Sequence, residues 1–163
     1  MIATLLLGGN MGNRDAYLRF ALFHIKKELG IVLKESKIYE SEPWGDKANK
    51  AFLNQVIDIE TLLPSKQLLA SVLKIEQLAG RKRELKWGNR TLDIDILFME
   101  DLILNERGIT IPHPEIQNRR FTLIPLVEIK PNFVHPALKS NMKELLSNCT
   151  DSSSPKIYVK RGV

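Results

Sequence analysis

The sequence predicts one α+β domain, and three observations carry that prediction. Apolar runs of strand length alternate with two segments of helical periodicity in the order β-α-β-β-α-β, with further short elements after them. The chain of 163 residues fits a single domain, long enough to bury roughly two-thirds of the surface its unfolded form exposes. Its 44% hydrophobic and 26% charged residues are ordinary for a globular chain. No apolar run approaches the roughly 20 residues that span a bilayer. The start, MIATLLLGGNMGNRD, has no basic region before its short apolar run and reads as a buried strand, not a signal peptide. One cysteine, Cys149, cannot close an internal disulfide or build a Cys-based metal site, in keeping with a reducing compartment and a cytoplasmic protein.

Taken in order, Ile2 to Leu7 fits a central strand closed by Gly8 and Gly9. Asn13 is an N-cap for a helix in which Leu18, Ala21, Leu22, Ile25 and Leu29 repeat until Gly30. Gly8, Gly9 and Gly12 superficially resemble a phosphate-binding loop, but no G-x-x-x-x-G-K-[ST] or G-x-G-x-x-G falls in register, leaving tight-turn geometry as the plainer reading. Ile31 to Tyr39 and Phe52 to Leu62 are β-rich, the second partly alternating like a half-exposed strand. Between them, ESEPWGDKANKA is long for filler and suits a binding loop. Pro64 and Ser65 open a second helix whose stripe Leu69, Val72, Leu73 continues onto Glu76 before Gly80. A carboxylate there lies either at the stripe's edge in solvent or against a ligand or an arginine. Leu102 to Leu104 and Ile109 to Ile111 flank a turn at Asn105 to Gly108, Leu123 to Ile129 and Met142 to Leu146 are helical, and Ile157 to Val159 can add a strand.

The chemistry concentrates in GRKRELKWGNRTLDIDILF, residues 80–98. Arg81, Lys82, Arg83, Lys86 and Arg90 run into Asp93 and Asp95, which alternate with apolar residues in a strand and share one face. Same-face carboxylates about 7 Å apart repel unless a cation sits with them. A cationic loop beside an Asp-x-Asp strand is what a magnesium polyphosphate requires: carboxylate oxygens for the metal, Arg and Lys for phosphate oxygens. The net charge of +5 fits the same idea, because its densest segment borders carboxylates that would repel a nucleic-acid backbone.

These motifs resemble one known family. Leu7-Gly8-Gly9-Asn10, Tyr39 to Gly45 (YESEPWG), Phe52-Leu53-Asn54, Ile75-Glu76, Gly80-Arg81, Arg83, Trp87-Gly88, Arg90 to Leu97 (RTLDIDIL), Ile111 to Pro114 (IPHP) and Asn118 to Phe121 (NRRF) resemble the 6-hydroxymethyl-7,8-dihydropterin pyrophosphokinases of folate biosynthesis, over about residues 1–147. The resemblance implies a monomeric, ferredoxin-like α+β fold that moves the pyrophosphate of ATP to the pterin's hydroxymethyl oxygen and releases AMP. It implies two Mg2+ ions on Asp93 and Asp95, with Arg81, Arg90 and Asp95 at the reacting groups. It places Glu76, Arg81, Arg83, Trp87, Arg90, Ile96, Thr110, His113 and Arg119 on the nucleotide. It places Ser41, Glu42, Pro43, Trp44, Phe52, Asn54 and Phe121 on the pterin, stacked between Phe52 and Phe121. Asn89 stands where the family usually has Pro. No residue stands out as a general base, so an Asp-bound water or Asp95 can take the proton. Neither nucleic acid nor membrane is an expected partner. An RNA-binding module lacks the aromatic signature K/R-G-F/Y-G/A-F-V-x-F/Y and has no use for Asp-x-Asp. A different two-metal phosphotransferase would share only the aspartate pair.

Overall fold

The computed structural model describes residues 1–43, 50–80 and 89–160. The elements in order are β1 (Ile2–Gly9), α1 (Arg14–Glu28), β2 (Ile31–Glu35), β3 (Tyr39–Ser41), β4 (Phe52–Glu60), α2 (Ser65–Leu78) and β5 (Asp93–Met99), then β6 (Leu104–Glu106), β7 (Ile109–Ile111), a 3-10 turn (Ile116–Asn118), α3 (Arg120–Ile129), α4 (Met142–Ser147) and β8 (Lys156–Ile157). The main sheet runs β5-β1-β4-β3-β8, with β2 also on β4, and every pair is antiparallel. β6 and β7 form a separate hairpin, whose turn carries Gly108 at φ 85°. The Asn13 cap forms as expected, its side chain accepting the Ala16 N–H.

The predicted strand Ile31 to Tyr39 is two strands. Ser36 interrupts it and is absorbed into β4 by side-chain bonds: its Oγ accepts the Val56 N–H at 3.0 Å, and its carbonyl accepts from Gln55 Nε2 at 2.8 Å. The α2 stripe is also out of phase by one residue, with Leu68, Val72, Ile75 and Glu76 buried in place of Leu69 and Leu73, which are half-buried. β4 is the larger correction. It is buried from Leu53 to Ile59, not half-exposed, because helices cover the sheet on both faces. Ala3, Leu5 and Leu7 of β1 pack with Leu18, Ile25, Leu68, Val72 and Ile75 of α1 and α2. Leu6, Val56 and Phe98 pack with Leu123, Leu126 and Met142 of α3 and α4.

That second face explains the polar residues of β4. Thr4, Leu6 and Gly8 of β1 lie opposite Asp58, Val56 and Asn54, all on the α3 side by the two-residue period. At one end the chain after α3 closes over them: Lys130 Nζ bonds Asp58 at 3.0 Å and Thr4 Oγ1 at 2.8 Å, and Thr4 Oγ1 donates to Asp58 at 2.6 Å. At the other end the sheet stays open, at Gly8 and Asn54. No described helix is long and apolar enough to cross a membrane.

Removing one partner of a buried ion pair strands the other charge. Lys130→Met should therefore cost about 3–5 kcal/mol in urea unfolding, and Asp58→Asn added to it should recover a large part of that loss. Simply additive losses would show that the pair is not coupled.

Candidate active site

The open end of the sheet is a cleft lined by Leu6, Gly8, Ser41, Glu42, Phe52, Asn54, Arg90, Asp93, Asp95, Arg119 and Phe121. Its floor is the start of β5, where Asp93 pairs with Gly8 and Asp95 with Leu6. Alternation sends Ile94 and Ile96 to the opposite face, where both are buried with the α1 and α2 side chains. Ile96 therefore offers the cleft no side chain. Glu76 pins this strand from α2, its Oε1 accepting the Ile94 N–H at 2.8 Å. At 2% exposure it is not at the edge of its helix, and it stands behind the cleft and not among the residues that line it.

Asp95 carries the cost of this arrangement. Burial, then the Asp93 carboxylate, pushes its pKa up to about 8, with Glu76 adding to the rise and Arg119 and Arg90 opposing it. Arg90 answers Asp93 directly, Nη1 to Oδ2 at 2.8 Å. Arg90 is in turn held by Asn10, a residue that the sequence marks only as part of the Leu7-Gly8-Gly9-Asn10 motif. Asn10 Oδ1 accepts the Arg90 N–H at 2.8 Å, its N–H donates to the Arg90 carbonyl at 2.9 Å, and its Nδ2 donates to Asn89 Oδ1 at 2.7 Å and Lys50 O at 3.0 Å. Asn89 thus joins the clamp through a side chain that proline would lack.

Of the three glycines around Asn10, Gly12 keeps the turn reading with φ 66°, whereas Gly8 and Gly9 do not. Both are strand residues of β1. A Cβ on Gly9 would stand 2.3 Å from the Thr91 carbonyl oxygen, and one on Gly8 would stand 2.4 Å from Asn54 Oδ1. Close approach of neighbouring segments, not backbone freedom, requires glycine here.

The opposite wall gathers the predicted acceptor residues. Ser41 faces Phe52 across β3 and β4, and Tyr39 faces Asn54. The Ser41 hydroxyl is buried with no hydrogen-bond partner among the described residues, an acceptor and donor waiting on the cleft. Phe52 and Phe121 are half-buried and line the cleft, so neither is a deep core residue. Arg119 is 4% exposed and stacks over the Phe121 ring at 5.6 Å. Pro43 is half-buried beside this wall without lining it.

Thr110 and His113 border an adjoining groove with Asn105, Gln117 and His135. The His113 N–H reaches the Leu97 carbonyl of β5 at 3.0 Å. Burial, and then Arg119, pulls the His113 pKa down to about 4, and its Nδ1 accepts the Glu115 N–H at 3.1 Å. The ring is therefore neutral at pH 7 with its proton on Nε2. Trp44, Arg81, Arg83 and Trp87 lie outside the described residues.

The cleft thus joins paired carboxylates and arginines to an aromatic, amide-bearing wall. The family model described as 7,8-dihydro-6-hydroxymethylpterin-pyrophosphokinase (HPPK) matches residues 4–131, and the chain belongs to that family. A 2-amino-4-hydroxy-6-hydroxymethyldihydropteridine pyrophosphokinase of Aquifex aeolicus is 39% identical over 138 residues, covering 85% of this chain and 86% of that one. The enzyme of the same name from Bacillus subtilis is 40% identical over 129 residues, 78% of this chain and 77% of that one. Among solved structures, Plasmodium falciparum HPPK-DHPS with pteroate superposes with a TM-score of 0.72 at 16% identity, over 90% of this chain and 42% of that longer one, a likeness of fold.

The neutral His113 gives a signed pH dependence. Between its folded pKa near 4 and the ordinary value near 6.5, the unfolded chain binds the extra proton, so stability falls as pH drops through that window. The stability difference between wild type and His113→Gln should shrink by about 1–3 kcal/mol from pH 7 to pH 4. A difference that stays constant in urea titrations would show that His113 is not buried neutral.

Proposed function

We propose that this pyrophosphokinase transfers the β,γ-diphosphate of MgATP to the hydroxymethyl oxygen of 6-hydroxymethyl-7,8-dihydropterin, giving AMP and the pterin diphosphate on the way to tetrahydrofolate. The observation that carries the reading is the single cleft in which Asp93, Asp95, Arg90 and Arg119 meet Ser41, Phe52, Asn54 and Phe121. A pterin has π-faces for Phe52 and Phe121 and an amide edge for Asn54, with the Ser41 hydroxyl and the 41–45 backbone completing its polar rim.

The acceptor oxygen attacks the β-phosphorus. A new O–P bond forms, the bond from that phosphorus to the oxygen bridging the α-phosphate breaks, and that oxygen leaves with AMP. The alcohol proton passes to water or to Asp95. Arg90, aimed by Asn10 and Asp93, and Arg119 neutralise non-bridging phosphate oxygens, for which a planar fork is better suited than an ammonium. His113 donates from Nε2, the tautomer that the Glu115 N–H enforces. Arg81, Arg83 and Trp87 complete the nucleotide side, with Glu76, Ile96 and Thr110 behind or beside it, and Trp44 joins Glu42 and Pro43 at the acceptor rim.

The donor set fits Mg2+. Asp93 and Asp95 present hard oxygens on one face, and their mutual repulsion is relieved by a cation. Among the described residues no three His, Cys, Asp or Glu side chains gather as a metal cage, which suits an ion that takes one or two carboxylates and completes its shell with phosphate and water. Two such ions, when bound, would supply charge neutralisation on the triphosphate.

The strand order β5-β1-β4 with β2 and β3 beyond β4 supports a ferredoxin-like βαββαβ core. The reading takes residues 1–163 as one domain acting as a cytoplasmic monomer, since one chain supplies both walls of the cleft, with no nucleic-acid or membrane partner.

Incubation with MgATP and the reduced pterin alcohol should yield AMP and pterin diphosphate in equal amounts. Formation of ADP, or nucleotide turnover independent of the pterin, would point instead to another two-metal phosphotransferase. Asp95→Ala should lower kcat to roughly a hundredth or less with the fold intact by circular dichroism; activity within about tenfold of wild type would remove Asp95 from the metal site. Phe121→Ala should raise KM for the pterin roughly tenfold with nucleotide affinity nearly unchanged, and an equal loss of both would refute the stacking role.

A further inference from the structure

The segment after α4 lies beyond residue 131, where the family match ends, yet it touches both parts of the acceptor wall, the start of α3 and β3. On one side, Asp151 Oδ2 accepts the backbone N–H of Arg120 at 2.9 Å, the first residue of α3. Arg119, at the N-cap of that helix, makes no side-chain cap of its own, so an amide of the first turn is satisfied from 31 residues away. The carboxylate is itself fixed, since Ser153 donates to it twice, through N–H and through Oγ, both at 2.9 Å. Burial would raise the Asp151 pKa, but the donors from Arg120 and Ser153 hold it below the usual carboxylate range. Its charge complements the positive end of the helix.

On the other side, β8 extends the sheet from β3, with Ile157 opposite Tyr39 and Lys156 opposite Glu40, and the Tyr158 N–H donates to the Ile38 carbonyl at 2.8 Å. Arg14 locks this corner: its guanidinium lies over the Tyr158 ring at 5.5 Å, pairs with Glu40 at 2.6 Å and donates to the Ala51 carbonyl at 3.1 Å. What these contacts hold is specific. Arg119 and Phe121 flank Arg120, Ser41 and Glu42 follow the β3 residues that pair with β8, and Phe52 follows Ala51. All five of those wall residues line the cleft.

We propose that residues 151–158 are a bracket that sets the width of the acceptor side of the cleft, with Asp151 as the positioning residue for Phe121. Asp151 touches no substrate. Its effect is geometric, because two facing aromatic walls grip a flat ring only when they stand about 7–8 Å apart, twice a contact distance. The proposal rests on the pterin reading above.

The test is steady-state kinetics of the full chain, with separate binding of the reduced pterin alcohol and of a non-hydrolysable MgATP analogue. Asp151→Ala should raise KM for the pterin roughly tenfold while kcat and nucleotide affinity stay within about twofold. Asp151→Asn, which keeps an acceptor for the Arg120 N–H, should restore most of the loss. An unchanged pterin KM, or equal weakening of both ligands, overturns the bracket. Should the alanine variant not fold, Ser153→Ala removes only the hydroxyl bond to Asp151 and should weaken pterin binding about threefold with the nucleotide untouched; no change there overturns the bracket as well. If wild-type protein binds no pterin, the acceptor reading itself fails and the bracket with it, an outcome distinct from normal wild-type binding and a silent Asp151.

Discussion

Two carboxylates on one face of a buried strand are the constraint on which the rest of the site depends. Asp93 and Asp95 repel each other, and the protein keeps them together because β5 is held on both edges of its backbone: by the β1 pairing and by Glu76 on the Ile94 amide. A third carboxylate is thereby spent on rigidity, although it raises the Asp95 pKa further. The strand would be calmer with asparagines. Paired carboxyl groups in a half-buried place are a local conflict of the kind that marks function, and the fold answers it in part through Arg90 on Asp93.

The sheet's second face divides the labour. Over one half, α3 and α4 close a core and bury the Asp58–Lys130 pair; over the other half, the same face stays open, and the alternation that puts Leu6 and Val56 in the core puts Gly8, Asn54, Asp93 and Asp95 in the cleft. The start of α3 is the hinge between the two halves, so Arg119 and Phe121 are positioned by the packing of the core. The geometry of the cleft thus rests on β1, β4 and the first turn of α3.

Much of this was legible in the residues. Alternation around Asp93 and Asp95 announces a shared face, Asn13 announces a cap, and Phe52 and Phe121 line the cleft, where the family resemblance expects a site. Other features were not. β4 reads as half-exposed because Val56 to Glu60 partly alternates, and only tertiary contact shows that Lys130, 72 residues away, satisfies Asp58. Gly8 and Gly9 look like a turn because close approach leaves no signature that differs from backbone freedom. Asn10 stands in a motif with no role assigned to it because its partners, Lys50, Asn89 and Arg90, are distant in sequence. Asp151 sits in a serine-rich stretch, and only the three-dimensional contact reveals a cap.

Metal held on the nucleotide is the proposed means by which the β5 pair becomes compatible with its surroundings. Counting bound Mn2+ by electron paramagnetic resonance, with a non-hydrolysable ATP analogue at saturation, tests it most directly. Wild type should hold two ions per nucleotide-loaded chain, and Asp95→Asn should hold at most one at the same free Mn2+. An unchanged ion count and affinity in Asp95→Asn would contradict the claim and place the metals elsewhere.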